Sequence, residues 1–258
     1  MLLHIGAFRL DVDSQRTSLW HQLAPQTRVL CTLLLVFAIA LTPHGRWLTW
    51  AIYGIGVGTI VLTSRVTLLT LLQRVSVELI FIGLILVNTL FRDTGIVLWQ
   101  WGWLQITDEG VIVLGSVLLK AVLSLLMLNT LVMTTSVPTL LYALTTLRIP
   151  PLLVAILGAM YRYINVLIEE FQAMRRAAIS RNLLSSNHWY RLVIANMIGS
   201  LFIRTYERGD RIHQAMLARG YDGQPTLNEV PPSGRRDRMT LGLIGLLMLV
   251  GQAIYVIS

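Results

Sequence analysis

Lysine and cysteine each occur once in the 258 residues, as Lys120 and Cys31, and only 13 % of the chain is charged. A lone cysteine excludes an internal disulfide, and in its apolar surroundings Cys31 reads as a packing residue. The five histidines, His4, His21, His44, His188 and His213, are scattered, with no carboxylate or thiol at ligand spacing. Neither a resident metal nor another cofactor is expected. No Gly-x-x-x-x-Gly-Lys-Ser/Thr loop is present, so the phosphate cradle of a nucleotide hydrolase is missing and ATP hydrolysis is expected of another subunit. The opening MLLHIGAF is interrupted by Arg9, Asp11 and Asp13, too early for a cleavable leader, and the N-terminus is expected to be retained.

What the chain has in quantity is oil. It is 55 % hydrophobic with a mean hydropathy of +0.66, more apolar than a soluble domain allows. The apolar residues fall into five blocks of membrane-spanning size, 29–42, 47–63, 77–91, 111–133 and 239–257. The first three are short for a span and must extend into their flanks or be shielded by neighbours. The expected fold is all-α: a polytopic membrane protein with about five transmembrane helices and a cytoplasmic domain of long amphipathic helices. Its divisions are 1–133 for the N-terminal segment and four spans, 134–238 for the cytoplasmic domain, and 239–258 for the last span.

Charge orients this arrangement. Residues 134–238 hold 13 arginines against seven acids, most of the net +8 of the chain. Positive loops stay inside, which places this stretch in the cytoplasm of a cell-membrane protein, together with Arg9, Arg16, Arg28 and the Arg65 to Arg74 connection. Only Arg46 and Arg92 fall outside, and the expected orientation is N-terminus in, C-terminus out. The outer loop after span three carries Trp99, Trp101 and Trp103 at every second position, as an interfacial aromatic belt would. The basic excess has three readings: nucleic-acid binding, for which no recognition module is visible, attraction to anionic lipid, and docking to an acidic cytoplasmic partner.

Pattern separates the last two. From Pro151 a proline-free run with helical spacing predicts a helix of up to thirty residues, led in by the proline-bounded amphipathic stretch SVPTLLYALTTLRIPP. After the polar break LSSNH, the run from Trp189 to Gly220 predicts a second long helix, supported by Glu207 and Arg211 four apart. The two end alike, in Ala177-Ala178-Ile179-Ser180-Arg181-Asn182 and Ala215-Met216-Leu217-Ala218-Arg219-Gly220. Alanine and arginine four apart share a face, so a partner helix can come close to the small side chain while the guanidinium reaches past it. Gly220 and Asn182 tolerate the left-handed geometry that stops a helix. The plainer reading is ordinary C-capping; two copies on two long helices favour docking.

These features resemble the transmembrane T component of energy-coupling-factor importers, the EcfT/CbiQ family, whose hallmark is a pair of Ala-Arg-Gly-type motifs in a cytoplasmic coupling domain. The similarity covers SLWHQLAPQTRVL (18–30), LRIPPLLVAILGAMYRYINVLIEE (147–170) and AMLARGYDG (215–223), with Asn182 standing where the first motif usually has glycine. The resemblance implies two ATP-binding cassette ATPase subunits as partners, docked by Arg181 and Arg219 with Ala177 or Ala178 and Ala215 as small contacts. It further implies a membrane substrate-binding S component, CbiM-like in the cobalt or nickel branch, which the overall similarity favours. The chain itself would be a non-catalytic lever that passes ATP-driven motion to the S component.

Alternatives stay in view. A T component for vitamins would look similar, and a conventional importer permease also couples to ATPases, through one short coupling loop. An intramembrane protease of the CAAX-processing type would want Glu-Glu-x-x-x-Arg, but after Glu169 and Glu170 the arginine is Arg175, with Met174 where it should be. Lys120, about ten residues into span four, is costly in a bilayer, roughly 2.5–3.5 kcal/mol near its centre. It is expected either to touch the S component or line the path, or to pair internally with Glu78 or Asn88.

Overall fold

The computed structural model describes residues 18–43, 45, 47–87, 97–101, 104–183, 187–223 and 234–257. Expectations about Arg9, Arg16, His4, His44, Arg46, Asn88, Arg92, Trp103 and the N-terminus fall outside them. The described chain forms α1 (Pro25–Leu41), α2 (Trp47–Ser64), α3 (Leu68–Val87), β1 (Val97–Trp101), β2 (Leu104–Thr107), α4 (Asp108–Thr134), α5 (Val137–Thr146), α6 (Pro151–Ser180), α7 (Asn187–Ala218) and α8 (Arg235–Ile257). The protein is an all-α polytopic membrane protein carrying one short antiparallel hairpin.

Each apolar block, as far as it is described, falls on a helix or its cap, and the helices are longer than the blocks. Pro25 starts α1 at its first position, where a missing N–H costs nothing, so the helix takes in Arg28. Likewise Leu68–Leu72 carry the apolar spacing of α3 back past Arg74, which is therefore a helical residue and not part of a connecting loop. The alternating tryptophans are the period of a strand: β1 pairs with β2, setting Trp99 opposite Ile106 and Trp101 opposite Leu104.

Two compact units divide the chain, the first from residues 1–143 and 229–258, the second from residues 144–228. In the first, α4 packs against α1, α2 and α3, and α8 packs against α1 and α2. Buried positions recur at helical spacing, with Thr130, Met127 and Leu123 on α4 facing Leu35, Ala38 and Ile39 on α1 in one core with Trp50, Tyr53 and Val57 of α2. Small residues bring helices close, as lipid-immersed packing requires: Leu247 of α8 sits where a side chain at Gly56 would go. Phe37, Ile55, Leu62, Phe81 and Leu249 point outward, bare in water but at ease against acyl chains.

By length and apolar composition, Trp47–Ser64, Gly110–Thr134 and Pro151–Ser180 qualify as membrane-crossing among the described residues, with Pro25–Leu41 a shorter apolar helix. The inclusion of α6 differs from the expectation of a cytoplasmic helix, because its first half is as apolar as a span.

Candidate coupling arms and polar anchors

The second unit is built on α6 and α7, which pack together within it. Glu170 on α6 forms ion pairs with two arginines of α7, Arg208 at 3.3 Å and Arg204 at 3.6 Å, while Arg211 pairs with Glu207 at 3.9 Å on α7 itself. The first two fix where the helices cross. Glu170 lies about 11 residues before Arg181, and Arg208 about 11 before Arg219, so each helix end extends roughly 17 Å past the crossing. The step from Ser180 to Asn187 can span at most about 24 Å. With α7 starting some 26–32 Å from the crossing, it must run back within roughly 60° of antiparallel to α6. The two Arg-bearing ends therefore point in opposite senses, roughly 30 Å or more apart.

Both ends are closed by one hydrogen-bond pattern. At the end of α6, the Asn182 N–H donates to the Ile179 carbonyl at 2.9 Å and the Leu183 N–H to that of Ala178 at 3.0 Å. At the end of α7, Gly220 donates to Leu217 at 3.0 Å and Tyr221 to Met216 at 3.0 Å. Asn182 has φ 56° and Gly220 φ 81°, the left-handed residue each such stop requires. Residue for residue the stops superpose in role, with Arg181 and Arg219 at the cap and Ala177 and Ala215 four before. Arg148 (φ 61°) closes α5 by the same bonds and Ala143 again stands four before the cap, but there Leu147 occupies the cap in place of an arginine. The motif is thus more than the stop.

Exposure separates the alanines. Ala177, Ala215, Arg181 and Arg219 are exposed, whereas Ala178 is buried. Of the two alanines offered by the first motif, only Ala177 is open to a partner. Neither Arg181 nor Arg219 has an ion-pair partner among the described residues, unlike Arg204, Arg208 and Arg211. Gly220→Ala is expected to fray the end of α7, because a left-handed alanine costs roughly 1–2 kcal/mol. Asn182→Gly should leave α6 as stable or firmer. Amide exchange at Tyr221 and Leu183 reads both.

Lys120 pairs with neither Glu78 nor anything else on α3 among the described residues. Its ammonium donates to the Ala40 carbonyl at 3.2 Å, in the last turn of α1, and lies 5.7 Å from the centre of the Trp50 ring. A cation suits the negative end of a helix, and the aromatic face adds to it. Glu78 instead accepts from Asn129 at 2.9 Å, nine residues further along α4. No group of three or more His, Cys, Asp or Glu side chains that could hold a metal ion occurs among the described residues.

A third polar feature was not read from the sequence. Buried Arg28 donates from Nε to the Leu23 carbonyl at 3.0 Å, and from its two terminal nitrogens to the carbonyls of Thr134 at 2.8 Å and His21 at 3.3 Å. Buried Asp237 accepts from the Ala24 N–H at 2.8 Å and the Gly234 N–H at 2.6 Å. The spacing of Gly234 and Asp237, a first-turn carboxylate reaching back to the amide before the helix, was a legible sign of a capping box. Nothing in the sequence tied it to residue 24.

The chain is thus a helical membrane protein bearing a unit of two long packed helices whose ends are matched arginine stops. Comparison identifies it. The family described as cobalt transport protein, CbiQ, matches residues 16–229. The energy-coupling factor transporter transmembrane protein EcfT of Acidaminococcus fermentans is 29 % identical over 247 residues, covering 89 % of this chain and 90 % of its own length. That of Lacticaseibacillus paracasei is 26 % identical over 246 residues, covering 90 % and 91 %. A fused cobalt transport protein, CbiMQ, of Methanocorpusculum labreanum is 32 % identical over 125 residues, 48 % of this chain and 21 % of the relative. The chain belongs to the CbiQ/EcfT family, the T components of energy-coupling-factor transporters.

Proposed function

We propose that this T component couples two ATP-binding cassette ATPases to a substrate-binding S component through the ends of α6 and α7. The observation that carries the reading is the pair of opposed, identically closed helix ends. Each presents an exposed arginine beside an exposed alanine, and their spacing suits two separate grooves better than one. ATP-driven approach of the two ATPases would then change the angle at the Glu170 crossing, and α5 and the chain leading to α8 would carry that change to the membrane spans. The chain is the lever, with hydrolysis in the ATPases and capture in the S component.

The cytoplasm holds residues 134–238 in this reading, α6 included, with the N-terminus inside and the C-terminus outside. Crossing the bilayer on α6 would bring Arg162 near the midplane, at a cost of roughly 2.5–3.5 kcal/mol, with Glu169 and Glu170 following at its far end. Its exposed apolar residues, among them Leu152, Ile156 and Met160, instead serve at a protein or membrane surface. A chain with Cys31→Ser and Ser180→Cys tests the placement. An impermeant maleimide is expected to label inverted vesicles and not right-side-out cells, and the reverse result would put α6 across the membrane.

Cobalt or nickel is the substrate class that fits best, because the family match is described as a cobalt transport protein and one relative is named as a fused cobalt transport protein, CbiMQ. The second reading is a T component serving vitamin S components, which suits the EcfT relatives in that their names carry no metal. Co-expression with a CbiM-like S component and with a vitamin S component decides: the reading predicts co-purification and labelled cobalt uptake with the first. Lys120, tied to Ala40 and Trp50, retains a proposed contact with the S component. Lys120→Met would test it by loss of that subunit from the purified complex.

A further inference from the structure

The second unit joins the first by two stretches of chain, one leaving after Ala143 and one returning at Glu229. Any lever must load these stretches, and a soft attachment would stretch before it pulled. Within the first unit, the ends of α4 and α8 nearest those stretches meet a single polar knot. On the outgoing side, Arg28 holds the last carbonyl of α4, Thr134, at 2.8 Å, and reaches the Thr135 hydroxyl at 3.4 Å in the joint before α5. On the returning side, Asp237 in the first turn of α8 holds the Gly234 amide at 2.6 Å. Both side chains also grip the turn that opens α1: Asp237 takes the Ala24 amide, and Arg28 takes the His21 and Leu23 carbonyls.

Charge and geometry agree. The cation sits at the negative end of α4 and the anion at the positive end of α8, so each is favoured by the helix it caps. Residues Arg28 and Asp237 are 8 % and 5 % exposed, which makes the knot dry and its bonds costly to break. Around it, Arg236 donates to Gln22 at 2.8 Å and Ser18 and His21 bond at 2.7 Å, tying the same turn to the start of α8 and to itself.

We infer that Arg28 and Asp237 form a clasp that locks the end of α4 and the start of α8, the helix ends of the first unit nearest its two connections to the second, to the start of α1, so that a pull on either end moves the spans together. Both are positioning residues, buried and bonded to the chain's own backbone. The inference rests on the coupling function proposed above.

The test uses the whole complex in proteoliposomes, with ATP hydrolysis and labelled cobalt uptake measured together. Wild type must show ATP-dependent uptake; its failure to do so with both ATPases and the S component present removes the coupling reading and the clasp with it. Arg28→Gln is expected to lower uptake per ATP by about tenfold, the size of a modest coupling energy. ATPase content and hydrolysis should stay within about twofold of wild type, since the docking ends are untouched. Asp237→Asn should do the same, and Arg28→Lys, which keeps a cation at the end of α4 without the planar fork, should lie between. Uptake per ATP equal to wild type in both Arg28→Gln and Asp237→Asn overturns the clasp. So does a parallel fall of hydrolysis, ATPase content and uptake in all three variants, which would mark the knot as a folding element only.

Discussion

Arg219→Glu is expected to strip one ATPase from the purified complex, Arg181→Glu the other, and the double variant both. The magnitude follows from what the arginine would do in a groove. Truncating one member of a buried, hydrogen-bonded charge pair costs roughly 2–5 kcal/mol, about thirtyfold or more in affinity, and reversal adds repulsion to the loss. One ATPase per site is expected because the two ends point in opposite senses from the Glu170 crossing and lie too far apart to share a groove. Arg211→Glu is the control, an exposed arginine beside Glu207 whose pairing is worth under about 1 kcal/mol. If Arg219→Glu and Arg211→Glu retain both ATPases equally, the arginine is a helix cap and nothing more, and the proposed docking role is lost. ATPase-to-chain ratios after affinity purification give the answer directly.

Gly251→Ala should lower thermal stability the most among single-atom changes. A Cβ at 251 would stand 2.6 Å from the Tyr53 hydroxyl oxygen, 2.8 Å from Cζ and 2.9 Å from Cε1. Tyr53 is wholly buried at the α2–α8 contact and has nowhere to swing. Overpacking of this kind costs roughly 1–3 kcal/mol, or about 3–10 °C in a chain of this size. Gly58→Ala, on the same α2 but with open space around its Cβ, should be neutral or stabilising. Adding Tyr53→Phe to Gly251→Ala should recover only part of the loss, because the ring carbons still clash after the hydroxyl is gone. Equal melting of Gly251→Ala and Gly58→Ala in detergent would show that α8 does not approach α2 this closely.

Much of the site was legible because helix stops are local. The left-handed residue, the arginine at the cap and the alanine four before are all written within six residues, and the structure closes both stops with the same bonds. The five apolar blocks were legible for the same reason, as composition alone sets them apart. Their ends were not, because Leu68–Arg74 reads equally as a basic connection or as the first turns of α3, and the packing of α3 on α4 is invisible in one dimension.

Long-range pairing decided the rest. Lys120 was expected to find Glu78 or Asn88 on span three if it paired internally, yet it meets the carbonyl end of α1, since a helix terminus attracts a cation without any charged residue to betray it. Ala177 and Ala178 are equivalent in the motif, and only the folded unit leaves one exposed and buries the other. Arg28 and Asp237 lie more than two hundred positions apart, one read as an inner-side charge and the other counted only among the seven acids of residues 134–238. Sequence by itself determined which stretches are helices and, for α6 and α7, where they stop, because periodicity and capping act over one or two turns. Which ends meet, which side chains are hidden and which charges anchor the spans were decided by tertiary structure, because those depend on helices brought together from opposite ends of the chain.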